Sequence, residues 1–131
     1  MEMVGGTPQP DSDNNNAVVW GSLHRPNGNL PEPKSQTASY ANPGDKWFSD
    51  EFHVFGVTWD KNSIQYYVDG NKYFEVNISS GKDGYDVFQK PFFILLNLAI
   101  GGDWPGSPDS TTVWPQKMLV DWVRVYQMKK D

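Results

Sequence analysis

The sequence predicts an all-β domain built as an antiparallel β-sandwich. Helical periodicity is hard to find along the 131 residues. Twelve Gly and ten Pro punctuate the chain at short intervals. Between them lie β-branched and aromatic runs, and aromatic residues make up 15% of the chain.

Residues 17–25 (AVVWGSLHR) form the first expected strand, and residues 51–60 (EFHVFGVTWD) the second. Residues 63–69 (SIQYYVD) and 72–78 (KYFEVNI) flank Asp69-Gly70-Asn71. An Asp-Gly pair between apolar runs signals a hairpin, because both residues tolerate positive φ. Residues 91–100 (PFFILLNLAI) are apolar on both faces, the pattern of a central strand. Residues 117–127 (KMLVDWVRVYQ) put Met118, Val120, Trp122, Arg124 and Tyr126 on one face and Leu119, Asp121, Val123 and Val125 on the other. The stretches 5–16, 26–46 and 101–115 read as loops. About six or seven strands result, few for two packed sheets, so the sandwich is either small or incomplete.

Residues 1–131 fit a single domain. The net charge of −5 and the lack of a basic stripe argue against nucleic acid as a partner. Cysteine is absent, which excludes disulfides and thiolate metal sites. No apolar run approaches the ~18 residues of a membrane span. The first residues have no basic start followed by an apolar block, so no signal peptide is expected within this chain.

Glycoside hydrolysis needs two carboxyl groups, one to donate a proton and one to attack carbon or activate water. Glu2 and Glu51 are the acidic residues nearest to strands early in the chain, and neither has a second carboxylate two or four residues away on one strand face. Tryptophan and tyrosine rings can stack on pyranose rings or pack a core. That choice is open for Trp20, Trp47, Trp59, Trp122, Tyr66 and Tyr67, whereas Trp104 and Trp114 sit in a Gly/Pro loop where a large ring needs a reason. His24 ends a strand and is either structural or functional, and His53 reads as structural. Two His and no Cys do not suggest zinc. Asp121, on an otherwise apolar face, needs either a cation such as calcium or a salt bridge.

Four stretches together resemble one family: "WGSLHRPNG", "FHVFGVTWDKNSIQYYVDGNKYFEV", "PFFILLNLAIGGDWPGSPD" and "PQKMLVDWVRVYQ". They are similar, in order, to the C-terminal half of the family sixteen glycoside hydrolases, and most of all to bacterial endo-β-1,3-glucanases (laminarinases). The resemblance implies a concanavalin-like jelly roll, here incomplete. The family's catalytic strand reads Glu-x-Asp-x-x-Glu, commonly Met-Glu at its end and then a Gly-containing turn, and "MEMVGG" resembles that end.

The resemblance implies that Glu2 is the general acid/base. The nucleophile and the intervening Asp would precede Met1, so the chain would begin inside the catalytic strand. It further implies substrate contacts for His24, Trp20, Asn97 and Trp104, and a calcium-ligand role for Asp121. The implied reaction is endo-hydrolysis of laminarin-type β-1,3-glucan with retention and without a catalytic cofactor. The chain alone would then be inactive. A non-catalytic β-glucan-binding module is the alternative, and self-association through an uncovered core is a further expectation. The full-length protein is expected to be secreted, its signal lying outside this sequence.

Overall fold

β1 (Val18–Asn27) turns back on β2 (Leu30–Ala41) through a two-residue loop at Gly28 and Asn29, where Gly28 takes φ +59°. The two strands pair antiparallel from Val18↔Ala41 to Asn27↔Leu30. β3 (Phe55–Trp59), β4 (Ser63–Val68) and β5 (Asn71–Asn77) form a second antiparallel sheet in the order β3-β4-β5. Asp69 and Gly70 join β4 to β5 with φ of +49° and +81°, the two positive values that a tight hairpin turn demands. Short 3₁₀ turns lie at Pro43–Asp45 and Tyr85–Gln89. The computed structural model describes residues 1–5, 16–81 and 83–129, so most of the expected loop at 5–16 lies outside the described residues.

These strands belong to the first of two units, Met1–Phe93. Its core lies between the sheets. Along β1 the residues alternate, with Val19, Gly21 and Leu23 buried and Val18, Trp20 and Ser22 partly open. Leu23 packs with Ile64, Tyr66, Val76, Ile78 and Phe88, and Val19 packs with Phe48 and Val68. Period-2 burial on both sheets, with the apolar faces turned toward each other, is the arrangement of a sandwich. The all-β antiparallel expectation holds.

One expected loop is a strand. Within 26–46 the structure places β2, whose Gln36, Ala38 and Tyr40 turn partly inward while Ser35, Thr37 and Ser39 face out. Pro31 and Pro33 are tolerated because, among the described residues, β2 pairs only with β1 and has a free edge in this sheet.

Two expected strands are not formed. Residues 91–100 and 117–127 have no regular structure, and the second unit, Ile94–Asp131, contains no strand among its described residues. Phe93, Leu95 and Leu119 are 82%, 74% and 69% exposed. A strand is completed by its neighbours' hydrogen bonds, and no described residue pairs with either stretch. Five strands therefore stand among the described residues, where six or seven are expected for the chain.

Candidate functional site

Glu2 is held against β1 by one antiparallel bridge. Its N–H donates to the Trp20 carbonyl and its carbonyl accepts from the Trp20 N–H, both at 2.8 Å. Residues directly opposite in an antiparallel pair put their side chains on the same face. Glu2 therefore shares the outward face of β1 with Trp20, and by the period of two with Ser22 and His24. β2 extends this face. Ser39 lies opposite Trp20, Thr37 opposite Ser22, and Ser35 opposite His24. The Thr37 hydroxyl donates to Ser22 Oγ at 3.1 Å, and His24 Nδ1 meets Ser35 Oγ at 2.8 Å. The result is an open, hydroxyl-rich face with one carboxylate, one imidazole and one indole.

Aromatic residues support this face from beneath. The Tyr66 hydroxyl donates to the Ser22 carbonyl at 3.1 Å. Tyr73 packs against both core clusters, with ring centroids 5.6 Å from Tyr40 and 6.2 Å from Tyr66. Burial, with a smaller contribution from Tyr66, pushes the Tyr73 hydroxyl up to about 12. At the far end of β1 the Arg25 guanidinium lies 4.3 Å over the Tyr85 ring, and its Nε donates to the Asp83 carbonyl at 3.0 Å. A groove of about 470 Å³ opens beside the face, lined among others by Met1, Ser22, His24, Trp59, Phe92 and Phe93. Trp59 is fixed there by an Nε1 hydrogen bond to the Phe88 carbonyl at 2.8 Å and an edge-on contact with Phe92 at 5.5 Å.

Away from this face, His53 and Asp69 form a second polar pair. His53 Nδ1 lies 2.7 Å from Asp69 Oδ2, and Asp69 Oδ1 accepts from the Val54 N–H at 2.8 Å. Burial works to raise the Asp69 carboxyl, but the hydrogen bonds from His53 and Val54 and the His53 charge outweigh it and hold the carboxyl below its ordinary value.

Of the residues singled out from the sequence, Glu2, Trp20 and His24 thus come together on one face. Asn97, Trp104 and Asp121 all lie in the second unit, each exposed. Trp104 sits in a turn closed by the Gly106 N–H on the Gly102 carbonyl at 2.9 Å. The expectation that Asp121 sits on a sheet face is not met, because residues 117–127 form no strand. Calcium takes about six to eight oxygens. Among the described residues no three acidic or imidazole side chains come together. The sequence reading missed Ser35, Thr37 and Ser39. Their alternation with Gln36, Ala38 and Tyr40 is the signal that could have found them.

The family model for "Glycosyl hydrolases family 16" matches residues 2–124. Clotting factor G alpha subunit of Tachypleus tridentatus is 43% identical over 77 residues, covering 59% of this chain and 11% of that protein. Glucan endo-1,3-beta-glucosidase A1 of Niallia circulans is 32% identical over 117 residues, covering 83% of this chain and 17% of its own length. Among solved structures, the endo-beta-1,3-glucanase from Pyrococcus furiosus superposes with a TM-score of 0.63 at 39% identity, over 76% of this chain and 38% of that one. The chain thus spans well under half the length of these relatives.

Proposed function

The chain belongs to the family 16 glycosyl hydrolases, and on that premise we propose that it is the part of a β-1,3-glucan endo-hydrolase that carries the acid/base. The observation that carries this reading is the Glu2–Trp20 bridge, which puts a carboxylate on the same open face as His24 and Ser22. In the proposed reaction protonated Glu2 donates to the leaving glycosidic oxygen as a carboxylate attacks the anomeric carbon. Glu2 then takes a proton from the water that releases the product, so configuration is retained. Such a pair of carboxyls stands about 5–5.5 Å apart. Neither residues 1–5 nor β1 contains a second carboxylate. The nucleophile is proposed to come from another part of the enzyme.

Trp20 and His24 are assigned to the sugars beside the scissile bond, and Asn97 and Trp104 to the edge of the cleft. Asp121 is assigned as one calcium ligand, and no step is routed through the metal. A polysaccharide substrate of this size is met outside the cell, so the enzyme is proposed to act there. No helix among the described residues is long and apolar enough to cross a membrane.

Electrophoresis of the 131-residue chain through laminarin tests the reading, with reducing ends assayed in parallel. Retarded migration that weakens in Trp20→Ala and in Trp104→Ala is expected, without release of reducing ends. Unretarded migration would sink the glucan assignment. Turnover that disappears in Glu2→Gln would overturn the need for an outside nucleophile. The second reading, a β-glucan-binding module with no catalytic role, draws on the lack of a second carboxylate beside Glu2. It expects the same retardation, and no hydrolysis once the chain is joined to the rest of a family 16 domain.

A further inference from the structure

We infer that Gly21 and Tyr73 form a spacer that sets the position of the Glu2–Trp20 pair, making them positioning residues for the site; the inference rests on the reading of Glu2 given above. Gly21 lies between Trp20 and Ser22 and faces the opposite way, into the space between the sheets. A Cβ at this position would stand 2.7 Å from the Tyr73 hydroxyl oxygen, 3.2 Å from Tyr73 Cε2 and 3.2 Å from Tyr66 Cδ1. The first distance lies below the 3.0 Å that Cβ atoms essentially never cross. A side chain here would force either β1 or the Tyr73 ring to shift. The edge of the Tyr73 ring thus occupies the space beside the Gly21 backbone.

Tyr73 reaches this place by an irregularity in its own strand. Tyr66 pairs with Phe74 and the next residue, Tyr67, pairs with Lys72, so Tyr73 is the extra residue of a β-bulge. Bulges re-aim side chains. Here Tyr73 and Phe74, adjacent in sequence, are both partly buried and both pack against the core. The Tyr73 hydroxyl is buried and has no hydrogen-bond partner among the described residues. A phenylalanine would avoid burying that oxygen, and a buried polar group without a partner costs stability. The hydroxyl is thus not explained as a hydrogen-bonding group. Its observed effect is steric, since it fills the space a Cβ would need at position 21. The height it sets passes to Glu2 through the two 2.8 Å hydrogen bonds with Trp20.

The test is a two-by-two set: wild type, Gly21→Ala, Tyr73→Phe and the double variant. Two readouts are taken, amide exchange at Glu2 and Trp20 and affinity for laminarin. Gly21→Ala is expected to lose about tenfold or more of the exchange protection at Glu2 and Trp20 while amides of β4 stay protected. Tyr73→Phe alone is expected to lose part of the protection at Glu2 and Trp20, because the oxygen that holds β1 at its height is gone. The double variant should recover most of the protection, because the nearest remaining contacts are the ring atoms at 3.2 Å. Laminarin affinity should follow the same order. If Gly21→Ala leaves Glu2 and Trp20 protected, the spacer idea is overturned. If the double variant is as impaired as Gly21→Ala, or if Gly21→Ala fails to fold and Tyr73→Phe does not rescue it, the idea is equally overturned. Exchange that follows the predicted order in a chain that binds no laminarin would uphold the spacer and remove the glucan reading instead.

Discussion

Asp69→Asn isolates the contribution of one charge to the fold. Asp69 is the first residue of the β4–β5 turn, at φ +49°, and asparagine tolerates that conformation nearly as well as aspartate. Shape and backbone are therefore kept, and what changes is the carboxylate facing His53 and Val54. Because an ionised carboxylate only accepts, His53 Nδ1 must be the donor in that pair. His53 is tightly enclosed, with 6% of its side chain exposed, and the Phe48 ring meets it edge-on at 4.9 Å. Its Nε2 is buried and has no hydrogen-bond partner among the described residues, so Asp69 is the described side chain that satisfies this ring.

A hydrogen bond to a charged group contributes about 1.5–3 kcal/mol. The Asp69 side chain is 41% exposed, so solvent screening brings the expected loss down to about 1–2 kcal/mol. For a chain of this length that is a fall of roughly 3–10 °C in Tm. The pH dependence gives the sharper check. The folded carboxyl lies below its ordinary value of 3.8. Its stabilisation is therefore fully present above the unfolded value and fades as pH falls through the folded one. Thermal unfolding of both proteins by circular dichroism should show the full gap at pH 7 and convergence toward pH 3. A gap that persists unchanged at acid pH, or no gap at pH 7, would refute the assignment of the effect to the Asp69 charge.

Two further outcomes are expected. Gly70→Ala should lower stability by about 1 kcal/mol with an unchanged urea m-value, because φ +81° strains any Cβ-bearing residue while nothing lies within 4 Å to clash; an unchanged midpoint would mean that the turn relaxes. β3 is an edge strand of its sheet, and Phe55, Val57 and Trp59 on it are 45%, 50% and 44% exposed. Such an edge invites pairing with a second copy of the chain. Light scattering should show mass rising with concentration in the wild type and a monomer in Val57→Lys, and a wild type that stays monomeric would refute the pairing.

How much was legible in the sequence depended on whether a strand's partners lie close by in the chain. The β4–β5 hairpin was legible because Asp69-Gly70 sits between two apolar runs and the pairing is local. β1 and β3 were legible from alternation and β-branched content. β2 reads as loop because residues 26–46 carry four Pro and several small residues, although the turn at Gly28 and the alternation from Ser35 to Tyr40 are both present. Residues 91–100 and 117–127 failed in the opposite sense. Their apolar pattern states what faces they could bury, but only hydrogen-bonding neighbours make a strand, and the described residues supply none. At the candidate site, Glu2 could be assigned only by resemblance. Its neighbourhood with Trp20 and His24 follows from the bridge register, which no local pattern encodes.

The bulge at Tyr73 also bears on how the chain length of this hairpin can vary. β5 holds one residue more than a strictly alternating partner for β4 would need. A shorter β5, lacking Tyr73, would restore perfect alternation and leave every other residue on its present face. It would also empty the space under position 21. A lineage that lost that single codon would no longer require glycine there, and a side chain at that position would fill the gap from above. The presence or absence of one residue in β5 and the size of the residue at position 21 of β1 should therefore change together, although they lie on different sheets and 52 positions apart (73 − 21).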